Sequence, residues 1–349
     1  MLLLRAAQGM QTNMTTRILL TGTAGFIGAH TLEHLLEHTD WHIIGVDSLV
    51  HAGKIERVNQ VINKVPEWTD RFEFIKADLS FPTELDKLPT AGIDYIINMA
   101  SESHVDRSIE DPVPFIKNNV DLTVHMLEYA RNVRPNVFIQ ISTDEVYGPM
   151  QDEYAFLEWE REIPSNPYSA SKAAQEMIAI SYWRTYGVPL VITNTMNNIG
   201  EMQDVEKFVP MLIRDISQGK KAQVHGTPEQ IGSRFYLHAR NHADALLFIL
   251  RGAPPVQYGG LGVDRPARYN IVGDTRLTNL EVAERIAALL DKPLEYELVD
   301  FHSTRPGHDL HYGLNGSLLE SLGWKPPLSF EDSLKRTVDN YLEHPEWLK

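Results

Sequence analysis

The sequence predicts an α/β protein in which a doubly wound parallel sheet carries a smaller α/β lobe interleaved with it. Three observations predict it. Short apolar runs alternate with longer amphipathic stretches from residue 17 to residue 195, the pattern of a parallel sheet covered by helices on both faces. Polar residues gather at the carboxyl ends of those runs, at Asp47, Asp78, Ser101–Ser103 and Thr143–Glu145, and ligands of such sheets sit beyond those ends. After residue 195 the alternation loosens and Pro, Gly and Arg become frequent, which marks the lobe.

Residues 17–21, RILLT, read as the first strand. Gly22-Thr23-Ala24-Gly25-Phe26-Ile27-Gly28 follows, then the helical periodicity of AHTLEHLLEHT and a second strand, WHIIGVD, ending in Asp47. Strand, glycine turn, helix, strand and acid together make the context of a Rossmann-type dinucleotide site. The glycines let the backbone approach a pyrophosphate at a helix N-terminus, where free N–H groups and the dipole favour anions. Asp47 can accept hydrogen bonds from an adenosine ribose, which favours NAD over its 2′-phosphorylated form. FEFIKAD, ending at Asp78, and DYIINMA (94–100) read as further strands. A helix from near Pro112 to about Asn132 precedes the strand VFIQIS, and a charged, aromatic loop follows Gly148. Ser165 and Pro167 signal the start of a long helix, YSASKAAQEMIAISYWRTYG, and PLVITNT (189–195) is the next strand. The expected organisation is an N-terminal extension over 1–16 and a Rossmann domain over 17–195. The lobe is expected over 196–235 and 255–330, with 236–254 returning to the first domain and a C-terminal helix of the lobe over 331–349.

Composition limits the function. A chain of 349 residues with 43% apolar content supports a full core. The absence of cysteine excludes disulfides and thiolate metal sites and fits a reducing compartment, so a cytoplasmic location and no metal are expected. No apolar run approaches the roughly 20 residues that span a bilayer. With 32 basic against 47 acidic residues the net charge is −15, which argues against nucleic acid as a partner.

Tyr168 and Lys172 stand four apart and share a helical face. A lysine near a phenol favours phenolate, which suits a tyrosine that takes a hydroxyl proton while hydride leaves the adjoining carbon. Asp144 and Glu145 follow Thr143 directly. Adjacent side chains on a strand point to opposite faces, so both acids reach one cleft only if the backbone turns there. Two carboxyl groups in different environments can divide into proton donor and proton acceptor. The bland readings are an exposed lysine on an amphipathic helix and a solvated acidic turn acting as a cap.

Ser142-Thr143-Asp144-Glu145-Val146-Tyr147-Gly148 together with Tyr168-Ser169-Ala170-Ser171-Lys172 resembles the extended short-chain dehydrogenase/reductase family of nucleotide-sugar enzymes, and within it the 4,6-dehydratases. Ser101 to Ser108, Asn197-Asn198-Ile199-Gly200, Glu206-Lys207 and Thr304 to Asp309 support the likeness, which spans residues 17 to 345. In this family epimerases lack the acid pair, and decarboxylases and GDP-mannose dehydratases usually carry Ser in place of Asp144, so the resemblance makes Asp-Glu the discriminating feature. The resemblance implies enzyme-bound NAD and an NDP-hexose substrate, with dTDP-glucose expected, converted to a 4-keto-6-deoxyhexose. Tyr168, with Thr143, would take the C4 hydroxyl proton as hydride leaves. An ionised Glu145 would remove the C5 proton, and a protonated Asp144 would protonate the departing C6 hydroxyl before hydride returns to C6.

The same resemblance implies cofactor contacts from Gly22, Gly25, Phe26, Ile27, Gly28, Asp47, Ser48, Asp78, Leu79, Ala100, Ser101, Ser103, Asn118, Tyr168, Lys172 and Asn198. It implies substrate contacts from Ser103, Thr143, Asn197, Lys207, Arg234, Asn270, Arg305 and His308, the arginines and Lys207 being able to meet a diphosphate. Departures from the family pattern fall at Asn118, Met196, Ile199 and within 234–242. The base and hexose therefore stay open: UDP-glucose, another NDP-hexose, epimerase or decarboxylase chemistry, and a non-catalytic NAD-binding protein are the alternatives. A homodimer is expected through the helices near 112–132 and 168–186.

Overall fold

The computed structural model describes residues 15–50, 52–150, 154–252, 264–300 and 309–349. The expected extension over 1–16 lies almost wholly outside them. The first half alternates strand and helix: β1 (Arg17–Thr21), α1 (Phe26–His38), β2 (His42–Asp47), α2 (Ile55–Ile62), β3 (Phe72–Lys76), β4 (Tyr95–Asn98), a short α3 (Val105–Glu110), α4 (Pro112–Val133), β5 (Val137–Thr143), α5 (Pro167–Tyr186) and β6 (Leu190–Thr195). The second half contains β7 (Asn197–Ile199), α6 (Phe208–Ser217), β8 (Ala222–His225), β9 (Ser233–His238), α7 (Ala239–Leu250), β10 (Ala267–Ile271), β11 (Arg276–Thr278), α8 (Asn279–Leu289), β12 (Tyr296–Val299), α9 (Ser317–Ser321) and α10 (Phe330–Glu343).

Seven strands form the main sheet in the order β10-β6-β5-β4-β1-β2-β3, and every neighbouring pair is parallel. Its central strands bury Leu19, Leu20, Ile96, Ile97, Phe138 and Ile139 completely, as a parallel sheet covered on both faces requires. The lobe holds a three-stranded sheet, β11-β9-β7, and a two-stranded one, β12-β8. Its core joins Leu212 and Ile213 of α6 to Val282 and Ile286 of α8 and Leu334 and Tyr341 of α10.

One boundary differs from the sequence reading. Residues 267–271 were expected in the lobe, but β10 pairs in register with β6, from Ala267↔Val191 to Ile271↔Thr195. Tyr269 and Ile271 are buried there among Ile139, Ile141, Ala245 and Ile249. Between the two visits to the lobe, α7 packs along α1, while β9 stays in the small sheet. Trp324 then returns to α7, donating its indole N–H to Asp244 at 2.8 Å.

Glu201 joins the two parts of the molecule. Its carboxylate meets His238 Nε2 at 3.0 Å and the Arg336 guanidinium, and its carbonyl accepts from His30 Nε2 at 2.9 Å. Burial opposes ionisation of Glu201, but the hydrogen bond from His238 and the charges of His30, His238 and Arg336 outweigh it and hold the carboxyl well below its usual range.

Burial pushes His30 and His242 down to about 4, and neither ring nitrogen of His242 finds a hydrogen bond. The folded values lie below the unfolded one of about 6.5, so the stability these histidines allow is present above pH 6.5 and is lost as the pH falls toward 4. For one such group the loss between pH 7 and pH 5 is about 2 kcal/mol. In His242→Leu the gap between the melting temperatures at pH 7 and pH 5, followed by circular dichroism, is expected to narrow. An unchanged gap would refute this account.

Candidate active site

The carboxyl ends of the main strands and the inner face of the lobe enclose one cavity of about 950 Å³. At its first end lies the turn between β1 and α1. Gly22 has φ +73°, and a Cβ on Gly28 would stand 2.0 Å from the Gly22 carbonyl, so only glycine permits a turn this tight. No side chain caps α1, and its first turn contains no acid, which leaves the helix N-terminus available to an anion. Asp47 accepts from Ala24 N and Leu49 N, each at 2.9 Å through a different oxygen. The Gly25 N–H supports it as well; a carboxylate has about four acceptor positions, so acceptor capacity remains for a ribose hydroxyl. These features fit a dinucleotide with its pyrophosphate at the turn. Ser48, Asp78, Leu79, Ala100, Ser101, Ser103, Asn118 and Asn198 line the same cavity, as do Phe26 and Ile27.

In the middle of the cavity the chain turns as the acid pair requires. β5 ends at Thr143, and Asp144–Tyr147 form a 3-10 turn, which brings Asp144 and Glu145 both to the cavity wall. The Thr143 hydroxyl donates to Asp144 Oδ1 at 2.9 Å and accepts from Glu145 N at 3.3 Å. Asp144 Oδ2 is buried with no hydrogen bond from the protein. Burial raises Asp144 to about 6; burial and the charge of Asp144 raise Glu145 to about 7. Between about pH 6 and 7 the two carboxyls therefore share one proton, the charge state that one acid and one base require. Each carboxyl takes one side-chain hydrogen bond, Asp144 from Thr143 and Glu145 from Asn166.

Tyr168 and Lys172 line the cavity from α5. The expected effect of the lysine on the phenol is not what the geometry gives. Burial and the charges of Glu145 and Asp144 push the Tyr168 phenol up, and only a hydrogen bond shared with Thr143 opposes them. The Lys172 ammonium is directed to the Ile141 carbonyl, 2.7 Å away. Burial lowers Lys172 to about 8 against the charge of Glu176.

At the far end Asn197, Lys207 and Arg234 line the cavity together with Gln223, Tyr236, Asn279 and Tyr312. Arg234 stacks on Tyr312 at 4.5 Å and donates to the Asp309 carbonyl at 2.8 Å. Asn270 does not belong to this group: its amide donates to the carbonyls of Phe156 and Asn315 at 2.9 and 3.1 Å. It sits in β10, within the main sheet, and is spent on holding two loops. Arg305 and His308 lie outside the described residues. Among the described residues no group of three or more His, Asp and Glu is placed to hold a metal ion.

Two contributors were missed in the sequence. Arg57 is fully buried, donating to the carbonyls of Ala24 (3.2 Å) and Met202 (2.9 Å) and pairing with Asp204 at 2.9 Å. It ties the glycine turn to the lobe. Asn166, not Ser165, caps α5, while Ser165 donates to the Asp309 carboxylate at 2.8 Å. Asn166 Nδ2 also reaches Glu145 Oε2 at 3.3 Å. Asn followed by Pro at a helix start was the available signal.

A family model described as GDP-mannose 4,6 dehydratase matches residues 19–337. A probable dTDP-glucose 4,6-dehydratase of Sinorhizobium fredii is 37% identical over 347 residues, covering 95% of this chain and 94% of that protein. A dTDP-glucose 4,6-dehydratase of Escherichia coli is 36% identical over 365 residues, covering 95% of each. Among solved structures, the DesIV dTDP-glucose 4,6-dehydratase of Streptomyces venezuelae, crystallised with NAD, superposes with a TM-score of 0.84 at 32% identity over 96% of this chain and 99% of that one. Likeness over nearly the full length, with the glycine turn, the Thr-Asp-Glu strand end and the Tyr-Lys helix in one cavity, places the chain in the GDP-mannose 4,6-dehydratase family of extended short-chain dehydrogenase/reductases.

Proposed function

We propose that this chain is an NAD-dependent NDP-hexose 4,6-dehydratase, with dTDP-glucose as its substrate and a 4-keto-6-deoxyhexose as its product. The observation that carries the reading is the placement of Asp144 and Glu145 side by side on the wall of the cavity that also holds Tyr168, Lys172 and the glycine turn. An exchange of hydride alone needs no such pair; elimination needs both a base and an acid. The named relatives supply the choice of dTDP-glucose.

NAD, when bound, would supply the acceptor and then the donor of one hydride, so the cycle would consume no cofactor. Gly22, Gly25 and Gly28 bring the backbone to its pyrophosphate, and Asp47 takes its ribose. Tyr168, with Thr143 on the same oxygen, would receive the C4 hydroxyl proton as the phenolate, the form that burial and the acid pair oppose in the substrate-free cavity and that the positive charge of bound NAD⁺ would favour. The resulting ketone acidifies C5–H, which Glu145 removes. The unpartnered Asp144 Oδ2 is the atom that meets the departing C6 hydroxyl, so in the reactive complex the shared proton sits on Asp144. Lys207 and Arg234 meet the diphosphate. Glu145 at about 7 and Asp144 at about 6 lie close enough for either carboxyl to hold that proton.

Incubation of the purified protein with dTDP-, UDP-, GDP- and CDP-hexoses is expected to give a 4-keto sugar from the dTDP-hexose. Epimerised or decarboxylated products, or no turnover on the panel, would overturn the reading. Glu145→Gln is expected to retain reduction of bound cofactor but to lose C5-hydrogen exchange with solvent by about 100-fold or more. The pH profile of kcat is expected to fall below about 6, where both carboxyls carry a proton, and above about 7, where the pair has lost the proton that Asp144 must give.

The reading extends to a homodimer in the cytoplasm. Among the described residues no helix is long and apolar enough to cross a membrane. α4 and α5 pack side by side and expose Val113, Ile116, Met177 and Tyr186, an apolar face suited to the same face of a second copy. Met177→Arg is expected to convert the dimer to a monomer in light scattering coupled to size exclusion.

A further inference from the structure

Asn166 is 6% exposed and stands between two parts of the site. Its Oδ1 accepts from Ser169 N at 2.9 Å, and its own N–H donates to Ser169 Oγ at 3.2 Å, a reciprocal box that starts α5. Its Nδ2 donates to Glu145 Oε2 at 3.3 Å. The amide has one orientation that satisfies both ends. Turned over, it would set its oxygen against a carboxylate and its NH₂ against the Ser169 N–H, so the network fixes which atom faces Glu145.

We propose that Asn166 is a positioning residue for Glu145: the amide that starts the helix bearing Tyr168 and Lys172 also holds the base carboxylate in its ionised form. The inference rests on the role of Glu145 in the proposed dehydration. It follows from the chemistry of the side chain at this one position. Ser and Asp cap a helix as well as Asn does. Ser is too short to reach from the cap to the neighbouring turn, and Asp would present an acceptor where the carboxylate needs a donor. Only Asn supplies the cap oxygen and a hydrogen-bond donor from one rigid group.

The other groups around Glu145 make such a donor necessary. Asp144 lies beside it on the same turn, and Asp309 approaches from the segment before α9; both disfavour its charge. Arg234 from β9 and Lys207 at the start of α6 favour it, and both cations line the substrate end of the cavity. The phenols of Tyr168 and Tyr312 feel its charge as well. When a diphosphate occupies Arg234 and Lys207, their support for the Glu145 carboxylate is divided with the substrate. The Asn166 hydrogen bond is not, because its second attachment is to the helix backbone.

The test uses full-length holoenzyme and three variants. Asn166→Ser and Asn166→Asp retain a capping side chain, and Asn166→Gln retains the amide while displacing it from the cap. In Asn166→Asp the acid limb of the kcat–pH profile is expected to rise by about one pH unit, slowing C5-hydrogen exchange at pH 5 by about tenfold. Single-turnover reduction of bound cofactor at that pH is expected to change far less. Asn166→Ser is expected to move the limb in the same direction by less, with a melting temperature near that of the unaltered chain. Asn166→Gln is expected to lower the melting temperature more than Asn166→Ser does and to move the limb less than Asn166→Asp does. An unmoved acid limb in both Asn166→Ser and Asn166→Asp, while Glu145→Gln abolishes C5 exchange, overturns the inference alone. Persistence of C5 exchange in Glu145→Gln overturns the role of Glu145 and the inference with it.

Discussion

The hydrogen bond from Lys172 Nζ to the Ile141 carbonyl spans the join on which the site depends, helix α5 against strand β5. Four residues beyond Lys172 the same helix face presents Glu176, fully buried, to the Arg268 guanidinium and to Asn194 Nδ2. Asn194 Nδ2 lies 3.1 Å from the Thr143 carbonyl, so the network returns to the strand end that holds the acid pair. Arg268 also meets Glu162 at 3.1 Å, and burial with the charge of Glu176 raises Glu162 to about 8. Charges this deep are costly unless each is paired. Losing one member leaves another unpaired, so the arrangement favours a single register of helix on strand. Apolar packing alone would tolerate small slides; this network does not.

The strands were legible because a covered parallel sheet needs continuous apolar runs, and the glycine turn because its spacing came with an acid at the end of the next strand. Tyr168, Lys172 and the acid pair were legible as positions. Their electrostatics were not. A four-residue spacing puts Lys172 on the face of Tyr168 but says nothing about a carbonyl of β5 that engages the ammonium first. Asn270 illustrates a related limit: the run ARYNI reads equally well as a strand of either sheet, and only pairing with β6, some 75 residues earlier in the chain, shows that its amide is committed to Phe156 and Asn315. Asn166 was hidden because a cap is recognised from the residues that follow it, whereas its second partner lies 21 positions back.

The lobe is attached to the sheet by polar clasps more than by a hinge. Arg57 joins the Ala24 carbonyl of the glycine turn to Met202 and Asp204, and Trp347 lies 5.4 Å from its guanidinium. Glu201, between His30, His238 and Arg336, forms a second clasp. Both begin on elements that bound the pyrophosphate turn and end in the lobe that carries Lys207 and Arg234. The cofactor end and the substrate end are thus set at one separation by the same buried ion pairs.

The placement of β10 at the edge of the main sheet bears on how the chain reaches this shape during synthesis. Strands β1 to β6 are complete by residue 195, yet the partner of β6 is not made until residue 271. Throughout that interval a nascent chain on the ribosome presents Leu190 to Thr195 as an unpaired edge, a template for pairing with other chains. The intervening segments of the lobe must leave that edge accessible, because the strand that closes it arrives after them. The order of the sheet therefore makes residues 267–271 a condition for covering an edge that is complete by residue 195.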